Sequence, residues 1–402
     1  MDSSNADNVT TDRAELLQRA RSFVPELLAR ADKTEQARRV SDATVAAFTD
    51  AGLFRILQPE QCGGYAYDMR ALIDVTFELS RGCTSSGWVY AIGASHTYLL
   101  ALFPWEVQQE VWAGKRDVFI AGSYAPGCMA ERVAGGYRIS GTWPFASGVD
   151  NAAWVVLGAL LPGEAENAPA QPGFLIVPKG DYTIDDDWHT TGLCGTGSKS
   201  IVAKNLVVPA HRKLPFRDLL AGNSPGAQTH KAPLYRMPFI ATTPVGLIST
   251  ALGAVQGAID EFLGTIAARS TRGAALGAGA SIAQFGGVQS RFAEATACLD
   301  AARMLLYRSV DEALAVVATG APVDIAMRIR NRRDHAFAMR LAEQAIDALD
   351  SASGGRGLYK RTVIQRAWRD VHAVGKHVSF NWDAVSTMYG QHAFGLEIKG
   401  QF

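Results

Sequence analysis

Along residues 13–50 apolar positions recur at helical spacing. RAELLQRARSFVPELLARA places Leu, Ala and Phe on one face, and Ser41-Asp42 can cap the next segment, which Gly52 ends. Loops are expected at 57–59 and 63–65, and residues 69–113 return to helix, rich in Ala, Leu, Val and Trp. Near Arg116 the period changes. From 118 to 209 short apolar runs (VFIAGSY, GYRIS, AAWVVLGALL, GFLIVP, YTI, SIVAKNLVVP) alternate with Gly, Pro, Asn and Asp, which predicts a small antiparallel β-domain. Its polar loop 162–172 is expected to be mobile. Residues 210–238 read as an irregular connector. From Pro244 onward four long Ala-rich amphipathic segments predict an antiparallel bundle, the last helix centred on 366–389. Residues 273–279 read as a flexible link, and 353–357 (SGGRG) break the third helix from the fourth. No repeat of 20–50 residues occurs. The fold class is mainly α with a central β-domain. The expected domains are 1–115 (helical), 116–215 (β) and 216–402 (helical bundle).

Composition narrows this picture. Over 402 residues, 48% are hydrophobic and 19% charged, which fits a well-buried globular protein. The net charge is zero, which argues against nucleic acid or an anionic membrane as the main partner. Cys62, Cys83, Cys128, Cys194 and Cys298 are scattered, odd in number and without CxxC. That pattern suits free thiols in a reducing cytoplasm, with neither disulfides nor a metal site. Residues 1–12 are polar and acidic, unlike a signal peptide, and no run of 18 apolar residues predicts a membrane span. Asn8-Val9-Thr10 matches a glycosylation sequon, which carries no weight in a cytoplasmic chain.

Residues 136–157 (GYRISGTWPFASGVDNAAWVVL) look like two strands around a Gly-rich corner. Trp143 offers a stacking wall, Gly148 permits close approach, and the Ser147 hydroxyl can bond a heteroatom of a flat ligand. The alternative is a core Trp beside a turn Ser. GLCGTGSKS (192–200) is not a phosphate loop, because Ser198 separates the second glycine from Lys199 and a strand follows. It reads as a glycine-lined wall beside a cofactor or as a plain turn. GxSxG and GxGxxG are absent. His372 and His377 fall on one predicted helix, about 140° apart, so they cannot share a metal there. His96 is a second isolated candidate. Each is either a satisfied structural imidazole or a proton carrier.

In order along the chain, LQPEQCGGY (57–65), SSGW (85–88), GSYAP (122–126), GTWPFASGVDNAAW (141–154), GLCGTGSKSIVAKNLVVP (192–209) and WRDVHAVGKH (368–377) carry a likeness. The chain resembles the oxygenase components of two-component flavin-dependent aromatic hydroxylases, which have the acyl-CoA dehydrogenase fold. True acyl-CoA dehydrogenases commonly place their base, a Glu, eight residues after the Arg-Asp of the last helix. Here that position is Val378, and no acid lies between Phe239 and Ile259, the other family location.

The resemblance implies reduced FMN or FAD, supplied by a separate NAD(P)H-dependent flavin reductase. The flavin would react with O2 to a C4a-hydroperoxide that hydroxylates a small phenol- or indole-type ring. It implies that Ser147 faces flavin N5, that Trp143 borders the ring, and that His372 manages the proton on the C4a side. Thr196 and Ser198 would contact the flavin. Arg269, Gly354 and Gly355 would hold its tail, between subunits of a homotetramer. His96, Ser123 and Trp88 would hold the substrate. Many relatives have His where this chain has Asn151, which makes a neutral heteroaromatic an attractive substrate. The rivals are N- or S-oxygenation by the same chemistry, an acyl-CoA dehydrogenase, and a non-catalytic oligomeric binder.

Overall fold

The computed structural model describes residues 12–163, 165, 168–220, 222–266, 269–270 and 279–402. The expectations on residues 1–11, on 164, 166 and 167 of the polar loop, and on 271–278 of the interhelical link lie outside the described residues.

The first helical region contains α1 (Arg13–Ser22), α2 (Val24–Ala37), α3 (Asp42–Asp50), α4 (Met69–Gly82), α5 (Thr84–Leu102) and α6 (Trp105–Trp112). Local chemistry sets several starts. Asp12, Ser41 and Asp68 each accept a hydrogen bond from a first-turn N–H of the helix that follows. The extended backbone of Cys83, φ −154°, separates α4 from α5. Helix α5 is apolar all round and almost wholly buried, as expected of a central core helix.

The β-domain is two four-stranded sheets. Its strands are β1 (Ile120–Ser123), β2 (Glu131–Val133), β3 (Gly136–Ala146), β4 (Trp154–Leu161), β5 (Gln171–Pro178), β6 (Thr183–Asp185), β7 (Lys199–Pro209) and β8 (Lys213–Pro215). One sheet has the order β1-β4-β5-β8 and the other β2-β3-β7-β6. The antiparallel expectation needs one correction: β1 pairs with β4 in parallel, Ile120 opposite Trp154. Strand β3 also extends past the expected corner. It is irregular against β7 between Trp143 and Ala146, and the turn proper begins at Ser147.

Short helices α7 (Phe216–Leu220), α8 (Pro225–Thr229) and α9 (Phe239–Thr242) fill the connector. The bundle is α10 (Pro244–Glu261), α11 (Gly286–Ala318), α12 (Ile325–Ser353), α13 (Val363–Gly375) and α14 (Trp382–Ala393). The stretch Phe239–Thr265 is long and apolar enough to cross a membrane, at mean hydropathy 1.4, yet 83% of its apolar window is buried inside the protein. Helix α10 packs against α4, α12 and α13, so its apolarity is that of a core helix. The single last helix expected from the sequence is two. Helix α13 stops at Gly375, the His377 ring accepts from Ser379 N, and the Asn381 side chain caps α14 through Ala384 N. The break places His377 in a turn instead of on a helix face.

Candidate active site

A run of buried hydroxyls joins the helical and β regions. Trp88, one turn into α5, donates its indole N–H to Ser147 Oγ at 2.8 Å. Ser147 Oγ lies 2.7 Å from Ser198 Oγ, which lies 2.6 Å from Thr196 Oγ1. Thr196 Oγ1 donates to Leu193 O at 2.9 Å, which ends the chain. All three hydroxyl residues are at most 4% exposed. Gly148 N donates to Thr196 O, tying the two loops together. Gly148 has φ 70°, and a Cβ there would meet Phe119 and Val89 at about 3.0 Å, so only glycine fits this turn.

Helix α13 fixes the Gly-rich turn. Buried Asp370 accepts from Leu193 N at 2.7 Å and also bonds Thr84, the first residue of α5. Arg369 forks onto Glu35 at 2.7 and 3.0 Å and donates to Thr191 O at 2.8 Å. Gly192 touches this helix directly; a Cβ there would sit 2.2 Å from Arg369 O. Burial pushes the Asp370 carboxyl up to about 6, with the Leu193 N–H and Arg369 opposing. The only buried carboxylate beside the turn is thereby engaged in holding backbone, among the described residues.

His377 packs on Trp88, and His96 lies about two turns further along α5, against β1. The His377 ring packs edge-on against Trp88 at 6.1 Å and against Phe380 at 5.7 Å. Burial, and secondarily the charge of Arg332, lowers its pKa to about 4, so it is neutral at pH 7. His96 in α5 is 2% exposed, and its Nδ1 lies 2.8 Å from Ile120 O. A carbonyl only accepts, so Nδ1 carries the proton and Nε2 presents a lone pair. Burial lowers His96 to about 4. Tyr124 packs on its ring at 5.3 Å, and Ser123 ends the same strand, β1.

The structure does not bring every expected residue to this cluster. His372 Nε2 lies 2.9 Å from Asp347, its Nδ1 is 3.9 Å from Glu343, and Trp368 covers its ring. It faces α12, whereas His377 lies against Trp88. Trp143 is fully buried, donates its N–H to Gly158 O at 2.6 Å, and packs on Gly127. It is a core residue of the β-domain, because β3 alternation turns it inward. Two residues on, Phe145 is 69% exposed with φ 65°. Its carbonyl accepts from Ser147 N, and Trp188 meets its ring edge-on at 6.1 Å. The sequence places Phe145 two residues before Ser147, but no local pattern marks it as the outward aromatic. Asn151 donates to Asp42 Oδ1 at 2.6 Å and ties the corner to α3. Arg269 lies within electrostatic range of Arg356, which follows Gly354 and Gly355, and its Nε is buried without a partner among the described residues.

These residues fit a flavin. Buried hydroxyls suit the N–H edge of a flat heteroaromatic ring, and the exposed Phe145 ring suits its face. Arg269 and Arg356, which have no ion-pair partner among the described residues, suit a phosphate tail beside exposed glycines. Among the described residues no group of three or more His, Cys, Asp or Glu could hold a metal.

Comparison with known proteins agrees. Residues 10–115 match the acyl-CoA dehydrogenase N-terminal domain and residues 245–382 the acyl-CoA dehydrogenase C-terminal domain. The chain is 42% identical to the oxygenase component of an FADH2-dependent resorcinol hydroxylase of Rhizobium sp. (strain MTP-10005), over 92% of each chain. It superposes on the crystal structure of 3-HSA hydroxylase from Rhodococcus sp. RHA1 with TM-score 0.90 at 35% identity, covering 97% of this chain and 100% of that one. It also superposes on XiaF from Streptomyces sp., in complex with FADH2 and glycerol, with TM-score 0.87 at 28% identity, covering 97% and 98%. With the hydroxyl cluster and the missing dehydrogenase base, these likenesses identify the chain as a member of the reduced-flavin-dependent aromatic monooxygenases, oxygenase component, built on the acyl-CoA dehydrogenase fold.

Proposed function

We propose that this enzyme hydroxylates a small phenol- or indole-type ring in the cytoplasm, as a homotetramer, with reduced FMN or FAD delivered by a separate NAD(P)H-dependent reductase. The flavin, when bound, supplies the activated oxygen. The residues of the chain do the rest. The Ser147 hydroxyl, already shared with Trp88 and Ser198, holds the proton at the flavin edge and keeps water from it. Phe145 covers the ring. Thr196 and Ser198 orient Ser147. Neutral His377, beside Trp88, would accept or return a proton there. Arg269, with Gly354 and Gly355, holds the tail.

The observation that carries the ring-hydroxylating reading is the His96 tautomer. Its Nδ1–H is spent on Ile120 O, which leaves Nε2 as a base for an aromatic O–H or N–H. A thioether needs no such base. Ser123 and Tyr124 complete that wall.

The test is anaerobic titration with both reduced flavins, followed by an O2 pulse with phenols, indoles and thioethers. Hydroxylated phenol or indole is expected, with activity falling at least tenfold in His96→Ala. Oxygenation of thioethers alone, undiminished in that variant, would replace this reading with S-oxygenation.

A further inference from the structure

Beyond the hydroxyl cluster, one turn of α12 gathers polar atoms that have no partners. Arg332 is 7% exposed, and its Nε and Nη1 are buried with no hydrogen bond among the described residues. Asn331 donates to Ser309 O at 3.1 Å, but its Oδ1 is orphaned. His335 is fully buried, with Nε2 3.0 Å from Ser309 Oγ. That hydroxyl donates to Leu306 O at 2.8 Å, so it accepts from His335 Nε2. His335 Nδ1 is therefore a bare lone pair, and it too is buried and unpartnered.

The neighbouring carboxylates are engaged elsewhere. Asp334 pairs with Arg308 and Arg333, and Glu312 with Arg330. Burial alone lowers Arg332, to about 10, with no acid opposing it. Its positive charge adds to burial in lowering the pKa of both His335 and His377, and α12 packs against the Val378–Phe380 turn that follows His377. The guanidinium thus stands behind the histidine that touches Trp88.

A buried, unpaired guanidinium costs several kcal/mol, and an apolar side chain would fill the space more cheaply. Keeping it beside an active site calls for an anion. We propose that Arg332, assisted by His335, receives an anionic oxygen of the aromatic substrate, either a carboxylate or a phenolate. Arg332 supplies the N–H donors; a phenol that binds as phenolate loses its proton to solvent, and His335 Nδ1, kept neutral by burial and by Arg332, only accepts a hydrogen bond. The inference rests on the hydroxylase reading for its ligand class, and it is tested without flavin or O2.

The full-length protein is titrated with 4-hydroxyphenylacetate and with its neutral amide, followed by tryptophan fluorescence. Resorcinol binding is followed by ultraviolet difference spectra at pH 7. Wild type is expected to bind the acid at least tenfold tighter than the amide if the oxygen is a carboxylate. It is expected to bind resorcinol with a phenolate spectrum if the oxygen is a phenolate. Arg332→Gln should reduce either preference to under twofold while retaining amide affinity, and its ligand-free Tm should equal or exceed that of wild type. Arg332→Lys, which keeps charge without the planar fork, should retain part of the preference. Wild type that shows neither the preference for the acid nor a phenolate spectrum, or a preference or phenolate spectrum that survives in Arg332→Gln, overturns the inference. A lower Tm with subunit dissociation in that variant also overturns it, assigning Arg332 to a neighbouring subunit's carboxylate. Hydroxylation of resorcinol in a separate assay keeps the functional reading independent of these outcomes.

Discussion

Trp88 and Ser147 meet across the seam between α5 and the end of β3, indole N–H to hydroxyl at 2.8 Å. The bond orients the hydroxyl that is proposed to face the cofactor. Ser147→Ala leaves a buried indole N–H without a partner, which costs about 1–3 kcal/mol. The fold should survive. Hydrogen peroxide released per flavin oxidised should rise at least twofold, and Ser147→Thr should restore most of the coupling. Identical product-to-flavin ratios in wild type and the Ala variant would remove Ser147 from this role.

His377 and His372 separate two accounts of proton handling. His377 touches Trp88, whereas His372 is tied to Asp347 on the α12 side. A positioned general acid–base contributes about 100-fold or more. His377→Asn should therefore lower hydroxylation by roughly that factor, with His372→Asn within about twofold of wild type. The opposite ranking, measured by turnover with saturating reduced flavin, would return the role to His372.

Phe145 and Trp143 lie two residues apart with opposite fates. Trp143→Ala removes a fully buried indole and should cost about 3–5 kcal/mol of stability. Phe145→Gly deletes a side chain that is 69% exposed and suits the positive φ, so Tm should hold or rise. Its affinity for reduced flavin should fall roughly tenfold, about 1.4 kcal/mol of lost stacking. Unchanged affinity in an equilibrium titration would mean that Phe145 faces something other than the cofactor.

The sequence made the sequence of layers legible because period is a local property. Helical spacing before Arg116, short runs to Pro209 and helical spacing again from Pro244 reproduce the observed helix–sheet–helix order. What it left open depended on irregularities. Alternation at β3 is disturbed between Trp143 and Ala146, so which aromatic faces out could not be counted from its neighbours. The parallel pairing of β1 with β4 is a long-range choice that no local pattern encodes. The stop at Gly375 turned two histidines thought to share a helix into one on α13 and one in the turn beyond it. The Arg332 cluster was invisible because an arginine in a polar helix reads as solvated until its burial is known.

Asp370 gives the last prediction its sign. Burial raises its carboxyl to about 6, against the pull of the Leu193 N–H and of Arg369; Glu35 adds to the rise, while Cys83 and Cys194 face it as neutral thiols. A folded-state value above the ordinary one means that the neutral form favours folding. That contribution is whole below about pH 4 and is lost as pH rises through about 6, amounting to about 3 kcal/mol. Asp370→Asn keeps an acceptor for Leu193 N and has nothing to titrate. Urea midpoints at several pH values should show the variant gaining on wild type by about that amount between pH 4 and 7, then running parallel. His96, His335 and His377 are common to both proteins and cancel in the difference. Curves parallel throughout would mean that the Asp370 charge is as well solvated in the fold as in water.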